Sequence, residues 1–294
     1  MPLPGLPPVA GARAHKNPTP RSCAESMQRP PSESVLLITL DSCRYDAFEA
    51  AAAPAIKSLG SLYRAEAPGY FTYASHASMF MGFTPGVAGL RQPLVNPKFA
   101  KFFKMVGGGW SGKGGEWTTL EGRGIIDGFR RKGYLTIGTS GMGWFDPQSG
   151  CGQVLTRDFD RFWYSGNSHS LRRQVSWLDE QISASGGRPV FAFLNVGETH
   201  VPYFHEDADW DGTRNPCVPF SDGNDAAECR RRQIACVEWV DGVLKELLDA
   251  FSGGLTIVCA DHGDCWGEDG CWEHGFYHPK VVEVPLVFRL PEVA

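Results

Sequence analysis

Three runs of the chain are almost continuously apolar and rich in β-branched or aromatic residues: VLLITL (35–40), VFAFLN (190–195) and LTIVCA (255–260). A short continuous run of this kind is the pattern of a strand buried on both faces, the situation of a parallel sheet covered by helices. Each run passes abruptly into a polar segment, DSCRYDAF after the first, VGETHVPYF after the second and DHGD after the third. If the strands are parallel neighbours, those segments meet at one edge, and open α/β sheets bind ligands outside the carboxyl ends of their strands. Between the second and third runs, Ile234, Val237, Val240, Val243, Leu244, Leu247, Leu248 and Phe251 recur at helical spacing. This predicts an amphipathic crossover helix over 229–251, stopped by Gly253 and Gly254. A second such unit is predicted over 121–138, a helix through GIIDGFRRKG ending at Gly133 and feeding the strand YLTIG. The expected fold class is therefore α/β, a mostly parallel central sheet with helices on both faces and a short C-terminal strand near VPLVF.

Residues 1–34 carry eight prolines and no apolar period, so they are expected to form a disordered Pro-rich leader, with 35–294 as one domain. The Gly-rich stretch 85–120 and the acidic stretch 205–228 lack periodicity and are expected to be long loops bordering a site. Apolar residues make up 42% and charged residues 21% of the 294, which excludes wholesale disorder for the rest of the chain. A net charge of −5 gives no electrostatic case for a nucleic-acid partner. The start of the chain lacks the apolar core of a signal peptide, and no stretch reaches the roughly 18 apolar residues of a membrane span. The nine cysteines form no CxxC pair, and an odd count without a signal favours free thiols in a reducing compartment. The expectation is a cytoplasmic protein with no membrane partner and an open oligomeric state.

Asp41 follows the first run directly, and Asp261 and His262 follow the third. Two carboxylates and an imidazole at strand ends make a fair ligand set for Zn²⁺ or Mn²⁺. Taken alone, Asp41 reads better as a helix cap. The tetrapeptide DHGD shifts that weighting, because it points two ligand types at one small volume. Thr72, in YFTYASHASMFMGFTPG, has two readings. Its hydroxyl is a nucleophile if a metal lowers its pKa and a helix N-terminus supplies N–H groups to an anion; otherwise Thr72 or Ser75 simply caps the helix. His76, one turn further, is near enough to reach a phosphate or sulfate group. His200 in GETHVPY, with His274 and His278 in WEHGFYHP, supplies a second metal site or a general acid. His15, His169 and His205 are read as structural or surface residues; Glu198 is either a further ligand or an exposed loop residue, the second reading being preferred, and Arg44, Lys113 and Trp144 either contact substrate from the rims or, as preferred, are surface residues.

Four segments in order resemble the alkaline phosphatase superfamily, in particular its sulfatase-like and phosphoethanolamine-transferase-like branches. VLLITLDSCRYDAF with APAIKSL is similar to the family's opening strand, metal-binding Asp and following helix. FTYASHASMFMGFTPG is similar to the nucleophile segment, FLNVGETHVPYF to the His-x-Pro-Tyr segment, and LTIVCADHGDCWGEDGCWEHG to the Asp-His-Gly-Glu segment. The resemblance covers roughly residues 34–290 and implies an alkaline-phosphatase-like catalytic domain. The 13-residue separation of Asp261 and His274 resembles the phosphoethanolamine transferase pattern, in which the late His helps to form the second metal or substrate site.

The resemblance implies a metal held by Asp41, Thr72, Asp261 and His262, with His274 as a further ligand. It implies Thr72 as nucleophile, His200 or His274 assisting the leaving group, and His76, His200 and His278 binding substrate. Formylglycine sulfatases need Cys or Ser in a Cys/Ser-x-Pro-Ser-Arg context; Thr72-Tyr73-Ala74-Ser75-His76 offers neither the residue nor the context. The family's paired Asp and its Asp four residues before the central His are replaced by Ser42 and Val196, which leaves one or two ions open. The expected function is a metal-dependent phosphohydrolase or phosphotransferase acting on a small-molecule phosphate or phosphonate ester through a phosphothreonine intermediate. The alternatives are a sulfatase-like hydrolase without formylglycine and a non-catalytic anion- or protein-binding pseudo-enzyme.

Overall fold

The structure, a computed structural model, describes residues 27–82, 95–96, 101–102 and 124–291. Most of the expected leader, most of the 85–120 loop, His15 and Lys113 lie outside the described residues. The central sheet runs in the order β2 (Tyr63–Glu66), β11 (Glu283–Arg289), β8 (Leu255–Ala260), β1 (Val35–Leu40), β7 (Val190–Val196), β5 (Leu135–Ser140), β6 (Arg161–Tyr164). Two short ribbons stand apart from it, β3 (Val95–Asn96) with β4 (Lys101–Phe102), and β9 (Cys265–Trp266) with β10 (Trp272–Glu273). The three apolar runs are the adjacent strands β8, β1 and β7, all parallel, with Leu40 level with Val196 and with Ala260. Their polar continuations therefore leave the sheet side by side. β11, which contains VPLVF, is antiparallel to both of its neighbours.

Alternating side chains of one strand face opposite sides of the sheet. Leu36, Ile38 and Leu40 of β1, with Ala192 and Leu194 of β7, pack against α1 (Tyr45–Ala50), α2 (Pro54–Lys57), α6 (Leu171–Ser183) and α7 (Ala226–Ala250). Phe191 and Phe193 of β7 pack on the other side with α3 (Thr72–Met81), α4 (Ile125–Arg131) and α5 (Gly150–Thr156). A last short helix, α8 (Pro279–Val282), leads into β11. Helices thus cover both faces, which is why the strands could be apolar on both sides.

The crossover helix begins three residues earlier than the apolar period implies, at Ala226. Its start is set by a cap: the Asp225 carboxylate accepts the Glu228 N–H at 3.0 Å. The helix predicted before Gly133 is α4, and Gly133 takes φ +87°, the left-handed geometry that ends it and that side chains rarely adopt. The stretch before α7 is irregular and pinned from below by Arg232, whose Nη1 donates to the Arg214 carbonyl at 2.8 Å. Packing also reaches into the expected leader, where Met27 packs against the core and buried Ser34 accepts the Val190 N–H through its hydroxyl at 3.0 Å. Among the described residues no helix is long and apolar enough to cross a membrane.

Gly197, directly after β7, lets the chain pass against the segment before α6. A Cβ at this position would lie 2.4 Å from the Ser168 carbonyl oxygen and 3.1 Å from the Met142 sulfur. Gly197→Ala is expected to destabilise the fold by about 1–3 kcal/mol, as overpacking against backbone does. A urea unfolding midpoint equal to that of the parent would refute this.

Candidate active site

The carboxyl ends of β1 and β8 and the first turn of α3 place four of the anticipated side chains together. Asp41, Thr72, Asp261 and His262 are all fully buried. The Thr72 hydroxyl donates toward both Asp41 oxygens, at 3.4 and 3.5 Å, and lies 3.5 Å from His262 Nε2. His262 Nε2 is 3.6 Å from Asp41 Oδ1 and 3.6 Å from Asp261 Oδ2. The other nitrogen of His262, Nδ1, donates to the Gly263 carbonyl at 3.0 Å, which leaves a lone pair on Nε2 facing the carboxylates. Ser42 sits in the left-handed region at φ 59°, a conformation costing a non-glycine residue about 1–3 kcal/mol. That turn aims the Ser42 N–H at Asp261 Oδ1, 3.1 Å away, and the His262 N–H reaches the same oxygen at 3.0 Å.

Thr72 is not a cap. The N-cap of α3 is Phe71, with no side-chain cap hydrogen bond, and the Ser75 hydroxyl is committed to the Asp261 carbonyl at 2.6 Å. His76 is also fully buried, with Nδ1 2.7 Å from the Thr72 carbonyl and Nε2 2.9 Å from the Thr39 hydroxyl. Burial lowers its pKa to about 4. Both ring nitrogens are thus engaged beneath the site.

A second set of groups stands beside the first, Asp264 and His274 flanking the β9–β10 ribbon and His200 and Tyr203 in the segment after β7. The His262 and His274 ring centroids are 4.3 Å apart, and those of His200 and His274 5.3 Å. His200 Nδ1 donates to the Val201 carbonyl at 2.9 Å, and His274 Nδ1 bonds the Asp264 carboxylate at 2.7 Å. Tyr203 donates its hydroxyl to the other Asp264 oxygen at 2.7 Å and accepts from the Trp266 indole at 2.8 Å. Burial works against ionised Asp264, but the charge and hydrogen bond of His274 hold it down at about 2. Burial likewise opposes protonated His274, and Asp264 outweighs it and raises the His274 pKa.

Other residues lie elsewhere. His278 caps α8, its Nδ1 accepting the Lys280 N–H at 3.0 Å, and its Nε2 faces Asp269 at 3.4 Å. His205 is buried between Trp210 and Trp239, His169 packs edge-on against Phe204, and Trp144 lies tilted against Phe71 and Tyr73. Glu198, read as exposed, is buried because it accepts the Leu171 N–H at the start of α6 at 2.8 Å; burial pushes its pKa up to about 8. Arg44, read as a surface residue, is 3% exposed. It stacks on Trp266 at 3.9 Å, pairs with Asp46 and Glu268, and donates to the Asp264 carbonyl at 3.2 Å, so it braces the ribbon that carries His274. Asp264, Thr39 and Asn195 are not assigned from the sequence. For Thr39 and Asn195 the signal was present, since each is a polar residue inside an otherwise apolar buried strand and must find partners there.

The donor set fits a divalent cation. Donor atoms of Asp41, Asp261 and His262 lie within 4.8 Å of one another, as do those of His262, Asp264 and His274. Asp261 Oδ2 is buried with no hydrogen-bond partner, an orphan aimed into the first group. Burial raises the pKa of Asp41, and burial with the neighbouring Asp41 charge raises that of Asp261 far more. Two carboxylates so close need a proton or a cation between them.

No family model and no curated protein matches the sequence. Among solved structures, the C-terminal periplasmic domain of EptC from Escherichia coli, in complex with Zn, overlays with a TM-score of 0.60 at 12% identity, covering 90% of this chain and 74% of that one. The C-terminal periplasmic domain of phosphoethanolamine transferase EptC from Campylobacter jejuni gives 0.58 at 13% identity, with 88% and 80% covered. The phosphonate monoester hydrolase of Agrobacterium radiobacter gives 0.56 at 16% identity, with 88% and 68% covered. The fold is that of the alkaline phosphatase superfamily, as in a superfamily protein from Vibrio parahaemolyticus with a TM-score of 0.54 at 14% identity, covering 94% of this chain and 63% of that one. The expectation of a cytoplasmic location is corrected by these findings: the EptC domains that share the fold are periplasmic. Free thiols and an odd cysteine count are a compositional argument, and they do not distinguish compartments when most of the thiols are simply core residues.

Proposed function

We propose that the protein is a metal-dependent phosphoryl-transfer enzyme, hydrolysing or transferring a small-molecule phosphate or phosphonate ester, with Thr72 as nucleophile. The observation that carries this reading is the Thr72 hydroxyl, uncommitted to capping and directed at Asp41 and His262 in a buried cluster. Asp41, Asp261, His262 and Thr72 would hold one Zn²⁺ or Mn²⁺, which when bound lowers the pKa of a ligated hydroxyl and neutralises charge on phosphoryl oxygens. The kinship of fold with a Zn-bound EptC domain supports the metal. If a second ion binds, Asp264 and His274 would be its ligands, since the one free nitrogen of His262 serves the first.

The Thr72 hydroxyl donates toward Asp41, so its proton has an acceptor as Oγ attacks phosphorus and the ester oxygen departs. His274 supplies the proton that the departing oxygen needs. Asp264 holds its Nδ1–H, which leaves the Nε2–H to be given, and raises its pKa so that the proton is present near neutrality. The same imidazole, now neutral, takes a proton from the water or alcohol that cleaves the threonine phosphoester. Because His200 Nδ1 donates to a carbonyl, its Nε2 lone pair is left to accept from the incoming water or alcohol. The N–H groups of the first turn of α3 lack helical partners and favour an anion at that end. A threonine cannot become formylglycine, which argues against sulfate-ester chemistry of the usual kind.

The test is a panel of aryl phosphate monoesters, diesters, phosphonates and sulfates with Zn²⁺ or Mn²⁺, followed by mass spectrometry of the Thr72 peptide. The expected outcome is turnover of a phosphorus ester and a phosphorylated Thr72 peptide on acid quench. Turnover of sulfate esters alone would overturn the reading.

A further inference from the structure

We propose that His76 is a positioning residue, a neutral imidazole with its proton on Nδ1 that closes a ring of hydrogen bonds around the nucleophile. The ring runs from the Thr72 carbonyl to His76 Nδ1 at 2.7 Å, from His76 Nε2 to the Thr39 hydroxyl at 2.9 Å, and from Thr39 to Asn195 Nδ2 at 3.1 Å. Asn195 Nδ2 continues to Asp41 Oδ2 at 3.3 Å, and Asp41 returns to the Thr72 hydroxyl at 3.4 Å.

The polarity of this ring has one solution. A carbonyl only accepts, so His76 Nδ1 carries a proton. The Asn195 amide spends its two protons on Thr39 and Asp41, and its oxygen accepts the Ser140 hydroxyl at 2.9 Å. With one lone pair of Thr39 taken by Asn195 and the other facing Gln174 Nε2 at 3.5 Å, the Thr39 proton goes to His76 Nε2, which therefore bears none. Gln174 Nε2 donates to the Asn195 carbonyl at 3.1 Å and fixes the ring from α6. The His76 ring is held edge-on by Phe145 and Phe193, at 4.9 and 5.6 Å between centroids, and cannot turn over without displacing both. The sequence reading had His76 touching the substrate anion. The ring gives it a different task, which is to orient the first turn of α3 against Asp41 so that the attacking oxygen and its acceptor stay in line.

The kinetic consequence rests on the proposed chemistry at Thr72; the tautomer does not. Long-range ¹H–¹⁵N NMR of the ¹⁵N-labelled protein is expected to show His76 protonated at Nδ1 and unprotonated at Nε2, assigned by loss of its signals in His76→Gln. Should that variant fail to fold, Thr39→Val supplies the assignment by shifting only the nitrogen that loses its donor. Thr39→Val is expected to lower kcat by about 10- to 100-fold with KM and metal content changed less than about twofold, while Thr39→Ser restores kcat to within about threefold of the parent. A His76 proton on Nε2, or a Thr39→Val enzyme with the parent's kcat, would overturn the proposal. If no phosphorus ester is turned over but the Nδ1–H signature is present, the functional reading fails and the ring stands.

Discussion

Thr72→Ala is expected to lower kcat by at least about 10³-fold, the scale of loss when a covalent nucleophile is removed, while leaving the bound metal in place. The contrast between the two readouts follows from how Thr72 is held. Asp41, Asp261 and His262 make a cation site without it, and the Thr72 side chain caps nothing, so the alanine variant loses an attacking oxygen and little else. Its unfolding free energy is expected to change by no more than about 1 kcal/mol. Thr72→Ser keeps the oxygen and is expected to retain measurable turnover, with the phosphoryl group now trapped on the serine peptide. A Thr72→Ala enzyme that keeps more than a tenth of the parent's kcat would remove Thr72 as nucleophile, whatever its metal content. A variant that loses both turnover and metal would assign Thr72 to the metal alone and leave the attack to water. The three measurements together therefore separate covalent catalysis, direct hydrolysis and a structural role.

The sequence made the middle of the sheet legible and its margins obscure, for a physical reason. β1 and β7 are buried on both faces and β8 fully on one and partly on the other, so burial dominates their composition and each reads as a mostly apolar run. β2 is an edge strand of sequence YRAE with three of four residues exposed, and nothing in its composition marks it as sheet. Its place is set by pairing with β11, a contact formed across the whole length of the fold. The site divides in the same way. Asp41, Asp261 and His262 could be grouped because each follows a legible strand and parallel neighbours bring strand ends together. Asp264 is only the fourth letter of a motif until Tyr203, 61 residues upstream, and His274 are seen on its two oxygens. Arg44 was likewise unreadable, since its burial depends on stacking against Trp266 and on acids contributed from both sides of it. His278 shares a short stretch with His274 but faces away, because the chain between them turns so that its ring caps α8.

Zinc is expected to raise the melting temperature of the chelator-treated protein by about 5–10 °C at a free concentration about 100 times Kd, and the increment is expected to grow from about pH 6 to about pH 8. The sign comes from Asp261. Burial, with the Asp41 charge behind it, raises its folded pKa well above the ordinary 3.8. The folded metal-free chain therefore holds a proton that the unfolded chain has released, and folding stability falls as pH rises from the unfolded value toward the folded one. A divalent cation takes the place of that proton, so binding competes with protonation and strengthens with pH across the same window. His76 and His262 act in the opposite direction. Burial keeps them neutral in the fold, while unfolded imidazoles take up protons as pH falls through their ordinary 6.5, so these two favour unfolding in acid. His76 contributes equally to metal-free and metal-loaded protein, and His262 is neutral in both, so the two terms cancel in the increment that zinc adds. Differential scanning calorimetry with and without zinc at the two pH values isolates the carboxylate contribution. An increment that is the same at both, or smaller at the higher pH, would mean that Asp41 and Asp261 do not share the cation.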